Sequence, residues 1–193
     1  GGTFVPESVS LSDDGLQATF EVQAFDNSMT DLVVTVMDSV TDLHGNTLVV
    51  SSSDPVTVDT VNPSTMGAPE VSDVIVSDSD SDAGTTLTVS FSFDEAMDQG
   101  VAPTVTFDPD VTSTLTGQTG RWTDAQTYVV EAVVADAGFD ADEVTIDITG
   151  AQDVAGNMQE DHTATVGLEI DTVNPTASYL SLIHISEPTR PAI

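Results

Sequence analysis

Two antiparallel β-sheets packed face to face, an all-β sandwich, is the architecture to which this sequence points, and three observations carry it. Apolar residues come in short runs rich in Val, Ile, Leu and Phe. Where a run is long enough to show a period, the period is two, the spacing of a strand with one buried face. Gly, Pro, Asn, Asp and Ser, the residues that turn a chain, stand between the runs, and no helical periodicity outlasts a turn. About seven such strands in roughly 110 residues fit a two-sheet sandwich.

The strands can be placed in order. Residues 71–76 form the first, and Asp78-Ser79-Asp80-Ser81-Asp82-Ala83-Gly84 reads as a polar turn. Residues 86–93 alternate, with Leu87, Val89, Phe91 and Phe93 on one face and Thr88, Ser90 and Ser92 on the other. Residues 104–107 make a short strand closed by Asp108-Pro109-Asp110. Residues 113–116 and 121–123 flank a turn at 117–120. Residues 127–134 and 143–148 are two more strands. Residues 162–172 are the last, with Ala164, Val166, Leu168 and Ile170 alternating.

An internal period organises the chain. Asp42-Leu43-His44-Gly45-Asn46 returns 111 positions later as Asp153-Val154-Ala155-Gly156-Asn157. Val58-Asp59-Thr60-Val61-Asn62-Pro63 returns 112 positions later as Ile170-Asp171-Thr172-Val173-Asn174-Pro175. Two anchors in the same order, agreeing to within one inserted residue, define a repeat the size of a domain rather than of a solenoid turn. Residues 63–174 then hold one complete copy, residues 1–62 the C-terminal half of the copy before it, and residues 175–179 the start of the next. The half copy supplies only the last few strands of a sandwich, which alone would leave one sheet face uncovered. The chain opens Gly1-Gly2-Thr3 without a charged and apolar leader, so it reads as an internal piece of something longer.

The end of the chain breaks this pattern. Leu180-Ser181-Leu182-Ile183-His184-Ile185-Ser186-Glu187-Pro188-Thr189-Arg190 resembles the in-frame translation of a transposase-adapter oligonucleotide from sequencing libraries, so residues 180–193 are set aside as an artefact; a short strand at 180–185 is the alternative. Without the tail, Arg121 is the only basic residue besides histidine.

Charge narrows the function classes. The chain carries 33 acidic residues against 2 basic ones, a formal net charge of −31. Such a surface cannot neutralise phosphates, which argues against nucleic acid and anionic lipid as partners. No run approaches the roughly 18 apolar residues of a membrane helix. With no Cys, neither disulfides nor thiolate metal sites are available, and without Lys the chain cannot form Lys–Asn isopeptide staples. There is no nucleophile elbow, phosphate-binding glycine loop or His-Glu-x-x-His. His44, in a turn, and His162, at a strand start, read as exposed. With so many acids, a close carboxylate pair is no evidence of hydrolysis.

Several motifs together resemble the bacterial immunoglobulin-like repeats of very large surface adhesins. They are Phe93-Asp94-Glu95-Ala96-Met97-Asp98, Gly120-Arg121-Trp122, Gly150-Ala151-Gln152-Asp153-Val154-Ala155-Gly156-Asn157 and Ile170-Asp171-Thr172-Val173-Asn174-Pro175. The half copy matches less well, since His44 replaces a small residue and Gly120-Arg121-Trp122 has no clear counterpart. The resemblance implies immunoglobulin-like repeats in a non-enzymatic, extracellular spacer on a bacterial surface, whose partners are the neighbouring repeats of the same chain and whose distal ligand is unknown. It also implies Ca²⁺ at the junctions, as in several such families.

The residues argue for a cation on their own account. Of the acids, 24 are Asp and 9 are Glu. Asp favours turns and offers the hard oxygens that suit Ca²⁺. Asp78, Asp80 and Asp82 mimic the start of an EF-hand loop, but Ala83 stands at its glycine and Val89 at its closing glutamate; a β-turn calcium loop or a solvated acidic hairpin tip remain. In an immunoglobulin-like sandwich the loops gather at two poles. One pole should collect Asp94, Glu95, Asp98, Asp153 and Asn157 with Asp59 and Asn62 of the preceding linker. The other should collect Asp78, Asp80, Asp82, Asp136, Asp140 and Asp142 with Asp171 and Asn174. Salt adaptation is the competing account of the charge and predicts acids spread evenly rather than at the poles. Trp122 reads as core, with sugar stacking the alternative. A glycan- or protein-binding module, or an accessory domain beside a secreted enzyme, are the other functions considered.

Overall fold

The computed structural model describes residues 2–4, 10–12 and 17–178. Tyr179 and the adapter-like tail, 180–193, lie outside the described residues. The chain is all-β apart from one short helix.

The N-terminal segment contains β1 (Gly2–Phe4), β2 (Ser10–Leu11), β3 (Ala18–Thr19), β4 (Val22–Ala24), β5 (Met29–Leu32), β6 (Thr35–Val36), β7 (Ser51–Ser52) and β8 (Val56–Asp59). They pair two by two: β1 with β4, β2 with β3, β5 with β8 and β6 with β7, all antiparallel.

The larger unit contains β9 (Glu70–Val71), β10 (Ile75–Ser77), α1 (Asp78–Ala83), β11 (Thr86–Ser92), β12 (Thr104–Asp108), β13 (Leu115–Trp122), β14 (Thr127–Val134), β15 (Asp140–Thr149) and β16 (Thr165–Asp171). One sheet runs β10-β16-β15-β12 and the other β13-β14-β11-β9. All pairs are antiparallel except β10 with β16, which is parallel. The predicted strand 71–76 is thus two pieces in different sheets. Between them, the Asp73 side chain accepts from the Ile75 N–H at 3.0 Å and turns the chain across.

Alternation places the core. Leu87, Val89 and Phe91 on β11 and Tyr128, Val130, Ala132 and Val134 on β14 face Val144, Ile146, Ile148, Leu168 and Ile170 from the other sheet, and all are buried. At about 1.5–3 kcal/mol per fully buried large apolar side chain, this cluster is what holds the sandwich together. Trp122 sits at its edge, its ring 5.1 Å from that of Tyr128 and 5.6 Å from that of Phe93, with its indole N–H donating to the Val101 carbonyl at 3.0 Å.

Four sequence readings are corrected. Residues 78–83 are a helical turn, not a loop: the Asp80 carboxylate accepts from the Ser77 amide at 2.9 Å and its hydroxyl at 2.8 Å, and Gly84, at φ 64°, ends the turn in the left-handed region. Residues 117–120 are not a hairpin turn. They lie within β13, where the register against β14 shifts between Thr116 and Thr119 around Gly117, at φ 60°. Val166 is exposed, because an extra residue, Gly167, stands in β16 between the Val144–Leu168 and Thr145–Val166 pairs and reverses the side-chain parity. His162 is not exposed: its side chain is 5% accessible, Nδ1 lies 2.8 Å from Asp147 Oδ1, and its ring meets that of Phe91 edge-on.

Candidate metal centre

Three acids converge where the linker enters the larger unit. Asp59 ends β8, Glu95 follows β11, and Asp153 opens the turn after β15. Each offers a carboxylate oxygen within 4.8 Å of the others. Among the described residues no other group of three His, Asp or Glu side chains brings ligand atoms so close.

The linker is fixed there by backbone and side-chain bonds. Asn157 donates its side-chain amide to the Asp59 carbonyl at 3.2 Å. Ser64 donates its N–H and hydroxyl to the two Asp94 oxygens at 2.8 and 2.7 Å. The Glu160 N–H donates to the Pro63 carbonyl at 2.8 Å, and the Pro63 ring is buried. Proline removes backbone freedom where the chain passes from one unit to the next.

Asp153 is buried, and its two oxygens accept from the Asn157 N–H at 2.8 Å and side-chain amide at 2.7 Å. An ionised carboxylate has about four lone-pair positions, so acceptor capacity remains. Glu95 is half-buried, and its carboxyl is held above its ordinary value, first by burial and then by the negative charges of Asp59, Asp153 and Asp94. A cluster that raises a carboxylate in this way is repulsive when ionised. Two like charges about 4 Å apart cost roughly 1 to 4 kcal/mol. Hard oxygen donors from three directions suit Ca²⁺ or Mg²⁺ and do not choose between them.

The other predicted ligands do not join this group. Asn62 is exposed. Asp94 is spent on Ser64, and Asp98 accepts from the Gly100 N–H at 2.8 Å. Asn157 serves as a donor to Asp153 and Asp59. At the opposite pole, Asp171 stands across from Asp140 on β15 and beside Ser77 on β10, while Asp136 accepts from the Gly138 N–H at 3.0 Å. Asp78, Asp80 and Asp82 belong to α1, with Asp80 committed to its cap. Asp142 lies within β15 and Asn174 is exposed after Asp171.

Much of the Asp excess has a conformational use. Asp73, Asp98, Asp110, Asp124 and Asp136 each accept from the N–H two residues on. Asp59 and Asp171 do the same to Val61 and Val173, both at 3.0 Å. These are Asx turns, in which a short carboxylate mimics a backbone carbonyl. Other acids stand along the strands, among them Glu131, Asp147 and Glu169, so negative charge is not confined to the poles.

The pH dependence of this cluster is testable. Because the folded state holds Glu95 above its ordinary value, that state binds the proton more tightly than the unfolded chain. Stability is therefore fully present below the ordinary glutamate value and falls as pH rises through the raised one. In chelator, wild type and Glu95→Gln should have similar urea midpoints near pH ~4, with wild type the weaker of the two at pH ~7. Asp42, Asp110, Asp124 and Glu131 are held low by their hydrogen bonds and work in the opposite direction, but they cancel in this comparison. A difference that does not change with pH would show that the three charges do not interact.

No helix among the described residues is long and apolar enough to cross a membrane. No family model, curated protein or solved structure matches the chain.

Proposed function

We propose that the chain is a segment of an extracellular spacer made of tandem immunoglobulin-like modules, with no catalytic role, whose joints are stiffened by Ca²⁺. The observation that carries this reading is the convergence of Asp59, from the linker, with Glu95 and Asp153, from the unit that follows. A cation held by these three joins the two units through their carboxylates and turns repulsion into a lock on the inter-unit angle. Asp59, Glu95 and Asp153 would hold the ion, and Asn157 orients Asp153 and the linker carbonyl. At the far end, Asp171 makes the same local turn as Asp59, so it can offer a carboxylate to a following module. The packing of Trp122 against Phe93 and Tyr128 gives it an interior use in place of a sugar platform.

Extracellular calcium sites bind with dissociation constants of about 10⁻⁴ to 10⁻³ M. At tenfold excess over that constant one site adds about 1.4 kcal/mol. We expect Ca²⁺ in the millimolar range to raise the melting temperature by about 5 °C. Small-angle scattering should give a longer, narrower distance distribution in Ca²⁺ than in chelator. A melting temperature and maximum dimension that ignore both calcium and chelator would remove the cation from the account. Mg²⁺ acting equally well at the same concentration would remove its identity.

A further inference from the structure

Residues 29–59 reproduce the outer end and the closing turn of the final hairpin of the larger unit, although β15 carries register shifts that β5 lacks. Met29 faces Asp59 and Thr30 faces Val58, as Asp140 faces Asp171 and Ala141 faces Ile170. The Thr60 N–H donates to the Ser28 carbonyl at 3.0 Å, as the Thr172 N–H donates to that of Phe139 at 2.8 Å. The Asp42 carboxylate accepts from the Asn46 N–H and side-chain amide, as that of Asp153 does from Asn157.

The surroundings of the two hairpins differ. Leu168 on β16 is 3% exposed, and its counterpart Val56 on β8 is 61% exposed. Met37 and Val40, whose counterparts Ile148 and Ala151 are fully buried, are also exposed. In the larger unit β10 adds to the β16 edge, β12 adds to the β15 edge, and the other sheet covers the face with Leu87, Val89 and Phe91 of β11 and Tyr128, Val130 and Ala132 of β14. Among the described residues, β5 and β8 pair only with each other, and neither outer edge carries a strand.

We infer that this apolar face and its two edges are the seat of a strand-bearing segment built like residues 63–112. The inference rests on the modular reading above but not on calcium. The occupant is specified by topology: a parallel strand for the β8 edge, an antiparallel strand for the β5 edge, and an alternating strand with the pattern of β11 across the face. A second copy of this chain is a poor donor. Its own residues 63–112 already close a core in which Leu87, Val89 and Phe91 are at most 2% exposed.

The test is a second copy of residues 63–112 fused ahead of the full chain, studied in chelator so that a failure of the calcium reading does not affect it. The control carries Leu87→Asp and Phe91→Asp in the fused copy alone, leaving the original unit intact. Amide hydrogen exchange at residues 30–32 and 56–58 should slow at least tenfold in the fusion and not in the control. Unchanged exchange in the fusion would overturn the inference. So would equal protection in the unfused chain accompanied by a dimer in light scattering, since the occupant would then be a second copy.

Discussion

Asp153→Ala should destabilise the larger unit by about 3 kcal/mol and abolish its response to calcium. The side chain is 1% exposed and holds its turn together from inside. Its oxygens take two bonds from Asn157, while the backbone closes the same turn with Asp153 N–H to the Asn157 carbonyl at 3.0 Å. Gly156, at φ 94°, supplies the left-handed residue that the turn requires. Removing the carboxylate takes the acceptor from two half-buried Asn157 donors, and each donor left unsatisfied costs roughly 1–3 kcal/mol. It also frees the Asn157 amide that reaches the Asp59 carbonyl, so the linker loosens with the turn. The exposed counterpart Asp42 makes the same bonds, yet Asp42→Ala should cost much less because water replaces what is lost. Asp153→Asn separates the two roles: it keeps an acceptor for the turn but removes the charge. Its one carbonyl can accept from the Asn157 N–H, but its NH2 group meets the Asn157 side-chain amide, so it should melt between Asp153→Ala and wild type and show no calcium shift. Urea midpoints of the three variants, with and without calcium, check this. A wild-type midpoint for Asp153→Ala would deny the structural role, and a retained calcium shift in Asp153→Asn would deny the ligand role.

Local periodicity was readable where burial is one-sided and the strand regular. The face of β11 follows from it, since Leu87, Val89 and Phe91 alternate there with Thr88, Ser90 and Ser92. Errors arose where one residue changes the parity or one side chain changes the backbone. Gly167 is the extra residue that turns Val166 outward, and a glycine in a strand gives notice of a bulge without giving its direction. Ser77 and Asp80, three apart and followed by Gly84, carry a cap-and-stop signature that the Asp-Ser composition concealed. The burial of His162 depends on Phe91 and Asp147, which only the sandwich brings near. The candidate site divides in the same way. The meeting of Asp59, Glu95 and Asp153 followed from assigning loops to poles. An Asx turn does not by itself exclude an Asp from the group, since Asp59 makes one and joins it while Asp98 and Asp136 make one and do not, and the sequence does not encode this difference in any periodic form.

The contact between Gly167 and Ile146 should reveal itself as strong non-additivity. A methyl added at Gly167 would collide with Ile146 Cδ1 and lie 2.8 Å from its Cγ1. Ile146 is fully buried between the sheets and has nowhere to retreat. Overpacking of this kind costs about 1–3 kcal/mol, so Gly167→Ala should destabilise by that amount. Ile146→Ala empties a core position and should cost about 2–5 kcal/mol. In the double variant the added methyl enters the space that the isoleucine leaves, because the remaining Ile146 Cβ is 3.9 Å away, an ordinary contact distance. The double variant should therefore be more stable than the sum of the single losses implies by about 1 kcal/mol or more. Four urea melts measure this coupling. Losses that add to within about 0.5 kcal/mol would mean that a methyl at Gly167 does not reach the Ile146 side chain.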